Sequence, residues 1–510
     1  CQNPSCGAEI PLMRQYWLSN KSNKVISLYP FIEKNKINFK IVGRGYEEIP
    51  KDFNPGQGTI SKAIVTCPIC GATINSRDTR KLFQEKKSGQ RLILLVTTKK
   101  KHVGKKYRVA NEEDYNIFLE SEKYLKEKIG ILNKKWGIVC VPDELITTPS
   151  HDIDRPPMYG MKSWGDLYNS RQKLSIICFI DSMKEMHNLI LKENKDEEYT
   201  KAIMSFFGVA IDRLADKNSV LCNYIVKTEA IGYTYKRQAL PMLWDYVEMN
   251  PLDNNSGWNG TLDDLYTNLS HISKIKNYAT VTQSSATNLP YPDNFFDAVF
   301  TDPPYYDNIG YSNLSDFFYV WLKRSLGDLY PELFSTPLAP KTNEIVSDVN
   351  RNGGKKEAKK FFEDMLKKAF IEINRVLKPN GISTIVYAHK TTEGWESLIN
   401  SLLDSGLVIT GAWPINTEMH ARLLAKDSAA LASSIYIVAR KMKREPTGFY
   451  NDVKEELKLY LTEKLDKLWE EGIGGADFFI AAIGSAIEVF GKYEKVMDYE
   501  GTIIRADRLL

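Results

Sequence analysis

Long apolar runs are missing from this sequence. No stretch of 18 or more apolar residues occurs, and the nearest approach, residues 478–489, is short and contains Glu488. A membrane-spanning helix needs about 20 such residues, so none is predicted. The opening Cys1-Gln2-Asn3-Pro4 is neither basic nor apolar, which excludes a signal peptide there. We expect no membrane partner and a cytoplasmic location, and the non-Met first residue indicates a truncated or processed chain.

Several motifs of other enzyme classes are also absent. The sequence has no P-loop, no H-E-x-x-H metal motif and no Ser/His/Asp triad pattern. It has no internal repeat and no long low-complexity segment. With 43% hydrophobic and 26% charged residues, the composition excludes a disordered chain. At about 150 residues per domain, 510 residues suggest roughly three domains.

The net charge of only +4 hides one strongly basic segment. Residues 77–108 contain twelve Lys or Arg against two acids, a local charge of +10. An apolar strand between basic arms can lie along a phosphate backbone, so we predict that Lys99, Lys100 and Lys101 contact nucleic acid. The alternative is a lysine-coated edge hairpin that resists aggregation.

Four of the seven cysteines form two pairs. Cys67 and Cys70 make a C-x-x-C-G knuckle, and Cys1 and Cys6 make a looser C-x4-C that is also followed by Gly. A glycine permits the tight turn that aims backbone amides at the thiolates. The pairs predict a structural zinc site with four thiolate ligands, as in a zinc ribbon. A redox dithiol is the alternative, although no thioredoxin-like context surrounds the pairs.

Apolar periodicity divides the chain into four predicted regions. Residues 1–110 read as a β-rich insert with the zinc ribbon, and 111–260 as a helical block with helices near 166–191 and 197–214. Residues 261–442 alternate strand and helix, which predicts an α/β region with a mostly parallel sheet covered by helices on both faces. Residues 443–510 read as a helical extension.

The sharpest motif is Asp302-Pro303-Pro304-Tyr305, directly after a strand at residues 297–301 that we predict to be buried. Ligands of open α/β sheets bind at the carboxyl ends of strands, and two prolines stiffen the loop there. The Asp302 carboxylate and the Pro303 carbonyl could accept both hydrogens of a nucleobase amino group and stabilise charge developing on its nitrogen. Tyr305, with Tyr306 as a second candidate, offers a face for a flipped-out base. A rigid turn with an Asp cap is the alternative.

The motif resembles that of amino-group DNA methyltransferases. More specifically, the chain resembles a family of large prokaryotic DNA methylases with an N-terminal domain of unknown function and an inserted zinc ribbon, and it looks like the C-terminal portion of such a protein. The similarity spans nearly the whole chain. The matching stretches, besides the cysteine pairs, are residues 159–172, 237–245, 301–308, 314–321, 386–390, 413–415 and 475–478.

The resemblance implies a class I (Rossmann-like) methyltransferase sheet that uses S-adenosylmethionine, often within restriction-modification or phage-defence systems. It places Ser285 and Ala286, after a predicted strand near residues 281–286, beside the cofactor adenine, where an Asp is usual. It also implies a cofactor contact for Asp302 and substrate contacts for Asn308 and His389, although a surface polar pair is an equal interpretation of His389-Lys390. Glu418, His420 and Arg422 are weaker candidates in a loop near the target base.

One expected feature of this family is missing from the sequence. A glycine-rich loop between a buried strand and a helix holds the methionine end of the cofactor, whereas Gly43-Arg44-Gly45 and Gly56-Gln57-Gly58 read as turns. We therefore expect that a separate chain or a missing N-terminal segment carries that loop. The leading prediction is amino-group methylation of DNA, with N6 of adenine favoured over N4 of cytosine. Methylation of tRNA or rRNA amino groups, and a nucleic-acid-binding subunit without catalysis, remain open.

Overall fold

A computed structural model of the chain describes residues 1–98, 104–307, 309–389, 391–416, 433–441, 447–470, 478, 482, 485–486, 488–493 and 495–504. Within these residues, no helix has both the length and the apolar character that a membrane span requires.

Strands and helices alternate irregularly along the described chain. The strands are β1 (Trp17–Lys21), β2 (Lys24–Glu33), β3 (Lys36–Gly43), β4 (Ile60–Ser61), β5 (Ile64–Thr66), β6 (Thr73–Ile74), β7 (Leu94–Thr98), β8 (Lys105–Val109), β9 (Tyr224–Ile225), β10 (Ala230–Ile231), β11 (Phe296–Thr301), β12 (Leu377–Tyr387), β13 (Val408–Asn416), β14 (Ser433–Arg440), β15 (Gly448–Phe449) and β16 (Val496–Met497). The helices are α1 (Ser76–Gln84), α2 (Glu112–Trp136), α3 (Ser170–Asn194), α4 (Glu197–Lys217), α5 (Trp258–Ile272), α6 (Tyr311–Leu326), α7 (Val349–Asn352), α8 (Lys355–Val376), α9 (Thr392–Leu403) and α10 (Tyr450–Glu470).

The chain divides into two compact units. One unit contains residues 1–278 and 311–341, and the other contains residues 279–310 and 342–510. Residues 1–110 and 111–260 both lie in the first unit, and the predicted boundary near residue 110 stays a prediction. Helix α6, which the sequence grouped with the catalytic region, belongs to that unit as well. The proposed boundaries at 260 and 442 remain predictions.

The β-rich start of the first unit is built on a three-stranded antiparallel sheet, β1-β2-β3. Lys34 and Asn35 form the β2–β3 turn with φ of 49° and 60°, the left-handed conformation that two-residue hairpin turns require. Small sheets β4-β5-β6 and β7-β8 follow, as the sequence predicted for this region. Ile26, Leu28 and Phe39 pack with Tyr107 of β8 in one apolar core.

The helical part of the first unit confirms the predicted helices. The helix expected near 166–191 is α3, and the one near 197–214 is α4. Helix α3 begins with a capping box between Asn169 and Gln172, which satisfies otherwise unpaired amides of its first turn. Trp321 of α6 is fully buried and donates its indole N–H to the Tyr168 hydroxyl at 3.1 Å.

The second unit contains a four-stranded sheet in the order β11-β12-β14-β13. Strands β11 and β12 are parallel, whereas β14 lies antiparallel between β12 and β13. Three of the four strands thus run in the same direction, as strand–helix alternation predicts. The pairing is nevertheless not mostly parallel, because the last strand inserts antiparallel to both of its neighbours. The mixed α/β character is confirmed. The Rossmann-like identity of the sheet and the zinc ribbon stay predictions.

Two sequence predictions in the second unit are wrong. Strand β11 is not buried: it is an edge strand paired with β12 alone among the described strands, and Phe300 is 67% exposed. The strand predicted near residues 281–286 does not form, and Val281 is 93% exposed. Apolar and β-branched residues predict strand propensity, but a strand becomes stable and buried only where neighbours pair with it and cover it.

A buried ion cluster joins three parts of the first unit. Glu229, 5% exposed in the β9–β10 turn, accepts hydrogen bonds at 2.6 Å from Lys21 and from Lys24. The buried Tyr107 hydroxyl also donates to this carboxylate. Burial alone would raise the pKa of Glu229, but the hydrogen bonds from Lys21, Lys24 and Tyr107 lower it to about 2. The carboxylate is therefore ionised at neutral pH and ties the first sheet and β8 to the β9–β10 hairpin.

We expect Glu229→Gln to lower the free energy of unfolding by about 2–3 kcal/mol at pH 7, because lysines lose their buried counter-charge. Glu47→Gln is the matched control, since Glu47 pairs with Lys40 but is 69% exposed; it should cost less than about 1 kcal/mol. Urea unfolding measures both.

The difference between wild type and Glu229→Gln should also depend on pH. The pKa of Glu229 is lower in the folded chain than in the unfolded chain, so the carboxylate's contribution is fully present above about pH 4.5 and is lost as pH falls towards 2. Equal costs for the two variants at pH 7 would contradict the cluster's role.

Candidate active site and candidate metal centre

The candidate active site lies where two parallel strands end side by side. Thr301, the last residue of β11, pairs with Ile385 of β12. The segment 302–307, called the Asp302 loop here, therefore leaves the sheet beside the turn that carries His389 and Thr391. Carboxyl ends of adjacent parallel strands form the usual ligand edge of an α/β sheet.

Two neighbouring residues of the Asp302 loop differ in their burial. Pro303 is buried, whereas Asp302 is exposed. The Pro304 carbonyl accepts the Tyr306 N–H at 3.2 Å, which closes a tight turn within the loop. The Asp302 carboxylate is thus exposed to solvent. Its backbone is fixed by β11 on one side and by the buried Pro303 ring on the other.

Tyr305 and Tyr306, both predicted to stack on a base, differ in their surroundings. Tyr305 is half-buried, and its ring centroid lies 5.2 Å from that of Tyr387 in an edge-on arrangement. Tyr306 is only 4% exposed and belongs to the apolar core. Its ring packs edge-on against Phe362 and His389, at 5.2 and 5.7 Å between centroids. Tyr305 is therefore the better placed of the two to meet a base.

Further bonds fix Tyr306 in a backbone conformation that non-glycine residues rarely adopt. Its φ is 52°, in the left-handed region, so the surroundings must stabilise it. The Tyr306 carbonyl accepts the Ser347 N–H at 2.9 Å, and its hydroxyl donates to Glu393 at 3.2 Å. Burial raises the pKa of Tyr306 to about 12, so the hydroxyl stays protonated and remains a donor at neutral pH.

His389 follows β12 and is buried rather than free on the surface. Its Nε2 atom lies 3.4 Å from Oδ1 of Asp307 in the Asp302 loop. Its Nδ1 atom lies 3.2 Å from the Thr391 N–H and 3.0 Å from the Thr391 hydroxyl. The structure thus brings His389 to the candidate site but gives both ring nitrogens protein partners.

Ser285 and Ala286, predicted to meet the cofactor, are exposed. The Ser285 hydroxyl lies 2.8 Å from that of Thr287 within the same loop. These residues can offer contacts to one edge of an adenine ring but no cradle for an amino-acid end. Across the part of the chain that the structure describes, no glycine-rich turn leads from a strand into a helix. The described residues therefore offer no match for the loop expected at the methionine end of S-adenosylmethionine, and the contact of Ser285 and Ala286 with the cofactor stays a prediction.

Several predicted contacts lie outside the described residues. These are Asn308, Lys99, Lys100 and Lys101, with the weaker candidates Glu418, His420 and Arg422. Elsewhere in the basic segment, cations are bound internally. Arg108 forms a two-pronged ion pair with Asp114, and the Lys105 ammonium donates to the Glu229 carbonyl. The whole segment is therefore not a uniform cationic surface.

The four predicted cysteine ligands come together in one cluster. Their Sγ atoms all lie within 4.8 Å of one another, with Cys1–Cys70 at 3.6 Å and Cys6–Cys67 at 3.8 Å. A tetrahedral zinc with bonds of about 2.3 Å separates its sulfur ligands by about 3.8 Å, so the cluster fits zinc. Four thiolates leave no open coordination position, which suits a structural ion rather than a catalytic one.

Both cysteine pairs have the backbone of a metal-binding knuckle. Gly7 and Gly71 adopt left-handed φ values of 56° and 73°, the conformation that the sequence assigned to these glycines. The Ala72 amide hydrogen-bonds to Cys70 and contributes most to lowering the pKa of that thiol. Cys140, Cys178 and Cys222 lie outside the cluster, and burial raises the pKa of each thiol.

Sequence reasoning missed the residues that support the Asp302 loop from behind. Glu393, Thr391 and Ser347 contact Tyr306 or His389, and Glu393 is 87 positions from Tyr306. No local sequence pattern predicts such long-range contacts. The one available signal was Thr391, whose position three residues before Gly394 matches its role as the N-cap of α9.

Comparisons with known proteins give little further information. No protein-family model matches the chain, and no curated protein sequence matches it. Among solved structures, TTHA0409, a candidate DNA modification methylase from Thermus thermophilus, is 14% identical over 34% of this chain and 58% of its own length, with a TM-score of 0.16. The 4+2 cyclase SpnF is 16% identical over 36% of this chain and 62% of its own, also with a TM-score of 0.16.

The chain spans less than two thirds of either of these two proteins. At such low TM-scores neither likeness supports an argument about this chain.

We expect about one zinc ion per chain by elemental analysis, and a loss of most of it in Cys67→Ser, because three thiolates hold the ion less tightly. Cys178→Ala is the control, since it removes a thiol outside the cluster. Zinc well below one per chain in the unaltered protein, or equal zinc in both variants, would contradict the assignment.

Proposed function

We propose that this chain contributes the base-binding part of an S-adenosylmethionine-dependent amino-methyltransferase that acts on DNA, with N6 of adenine as the target. The observation that carries the proposal is the placement of Asp302. It is an exposed carboxylate at the carboxyl end of β11, followed by a buried proline that fixes the backbone.

The residues present suit a nucleobase amino group. Such a nitrogen is a poor nucleophile because its lone pair is conjugated with the ring. Two acceptors directed at its two hydrogens, the Asp302 carboxylate and the Pro303 carbonyl, favour the tetrahedral nitrogen and stabilise the positive charge that develops on it. When bound, S-adenosylmethionine supplies an electrophilic methyl group. Tyr305 supplies a partly open ring on which the extruded base can stack.

DNA is the proposed partner because of the basic segment. Arg108 is held by an ion pair with Asp114 and Lys105 by a hydrogen bond to the Glu229 carbonyl, so we assign phosphate contact to Lys99, Lys100 and Lys101, together with the exposed Lys106 of β8. A structural zinc would hold the β-rich region in shape without taking part in chemistry. An RNA substrate and a non-catalytic binding subunit are the alternatives, and the second is favoured by the incomplete cofactor cradle among the described residues.

We expect the protein, supplied together with the segment or partner chain that carries the glycine-rich loop and incubated with S-adenosylmethionine and DNA, to produce N6-methyladenine detectable by mass spectrometry of the digested DNA. Asp302→Ala should lower the yield by a factor on the order of 100, the usual cost of losing one preorganised polar contact to the reacting group. Asp297→Ala is the matched control: it removes an exposed carboxylate from the same strand, one that pairs with Lys378 at 2.8 Å.

An undiminished yield in Asp302→Ala would overturn the role of that residue. Methylation of RNA but not DNA would support the first alternative, and binding of DNA with no methyl transfer would support the second.

The basic segment can be tested separately through the salt dependence of DNA binding. Replacing Lys99, Lys100 and Lys101 by Ala should reduce the slope of log K against log salt by up to about 2.7, at about 0.9 per lost phosphate contact. A variant with Lys356, Lys360 and Lys368 of α8 changed to Ala carries the same charge change on a solvent-exposed helix face. Equal slopes for the two variants would argue against contact by the basic segment.

A further inference from the structure

The sequence assigned His389 to substrate binding, but its surroundings suggest a different role. The imidazole is 5% exposed, and protein groups meet both of its nitrogens. Its carbonyl accepts the Trp395 indole N–H at 2.9 Å. A Cβ on Gly394 would lie only 2.2 Å from Nδ1, so the ring occupies a niche that residue 394 leaves open. A base amino group would have to displace these partners to reach the ring.

The hydrogen bonds around the ring favour one tautomer. The Thr391 N–H lies 3.2 Å from Nδ1, closer than the Thr391 carbonyl at 3.4 Å, so we assign the lone pair to Nδ1. In the neutral ring the proton then sits on Nε2, which faces Oδ1 of Asp307 at 3.4 Å. The imidazole therefore accepts from the cap of α9 and donates to the Asp302 loop. The ring thus links the loop after β11 to the turn after β12, and the hydrogen bond at Nδ1 leaves Nε2 as the donor.

His389 contacts Asp307 and Tyr306, the last two residues of the Asp302 loop. Asp307 is bonded to His389, while Tyr306, directly before it, packs edge-on against the same ring. Pro303 holds the near end of the loop. The position of the Asp302 carboxylate thus depends on two anchors, and His389 supplies one of them without facing the open side.

We propose that His389 is a positioning residue for the amino-group chemistry, an inference that rests on the proposed function. Through Nε2–H it holds Asp307, and through Asp307 it keeps the Asp302 loop in the conformation in which Asp302 and the Pro303 carbonyl meet the base. It neither contacts the base nor exchanges a proton with it.

Two substitutions separate the two nitrogens. His389→Gln can place an amide donor near Nε2 and keep the bond to Asp307, whereas His389→Asn can keep only the acceptor near Nδ1. His389→Asn should lower kcat on the order of tenfold with KM within about twofold, since a small displacement of positioned groups costs rate rather than binding. His389→Gln should restore most of that loss. His271→Asn, at an exposed position of α5, is the control.

A second readout needs no catalysis. Hydrogen–deuterium exchange measured by mass spectrometry on the intact protein should show faster exchange of the Tyr305, Tyr306 and Asp307 amides in His389→Asn, and wild-type exchange in His389→Gln. Equal behaviour of the two variants in both measurements would overturn the proposal, and so would a rise in KM alone, which indicates direct base contact. If the wild type transfers no methyl group even with the segment or chain that carries the glycine-rich loop, the proposed function fails, while the exchange comparison still decides whether His389 holds the loop.

Discussion

The parallel pairing of β11 with β12 is the constraint on which the candidate active site depends. The register that joins Thr301 to Ile385 sets the Asp302 loop beside the turn after β12. The contacts of the loop with His389 and Glu393 follow from that register, because His389 and the first turn of α9 come directly after β12. A shift of one residue would reverse the faces on which side chains of β11 project and would separate Asp307 from His389. The placement of the Asp302 loop thus depends on backbone pairing that ends at Thr301, the residue directly before Asp302.

In the first unit, some cations of the basic segment stabilise the fold and are therefore not free to bind a partner. Its basic segment looks like a nucleic-acid surface when charges are counted along the sequence. In the folded chain, Lys105 donates to the Glu229 carbonyl, and Arg108 is bound by Asp114. Lys21 and Lys24, from outside the segment, converge on the Glu229 carboxylate because a buried acid must be paired. The cations that remain open to a partner are fewer than the count suggests.

Sequence reasoning succeeded where the determining interactions are local. Helices α3 and α4 follow from apolar spacing, and the cysteine knuckles follow from residue spacing with glycine in the turn. It failed where neighbours decide the outcome. The residues of β11 have the composition of a buried strand, yet burial requires partners on both sides and faces, and the antiparallel insertion of β14 has no local signal. Tyr306 illustrates the same limit: an aromatic residue after the proline pair can face a base or the core, and only the contacts with Phe362 and Glu393 show which.

An exposed Asp302 next to a buried Pro303 matters because ordering a flexible loop when a base binds would cost conformational entropy. Fixing the backbone of one residue costs about 1–2 kcal/mol of conformational entropy, and a loop of six free residues would lose several times that on gripping a base. In this chain the cost is met during folding, by the strand before Asp302, the buried Pro303 and the core position of Tyr306. Only the short side chain of Asp302 remains to be ordered. In the proposed function, an acceptor pair held in this way would oppose the planar geometry of a conjugated amine with little rearrangement, which is the property that electrostatic stabilisation of the attacking nitrogen requires.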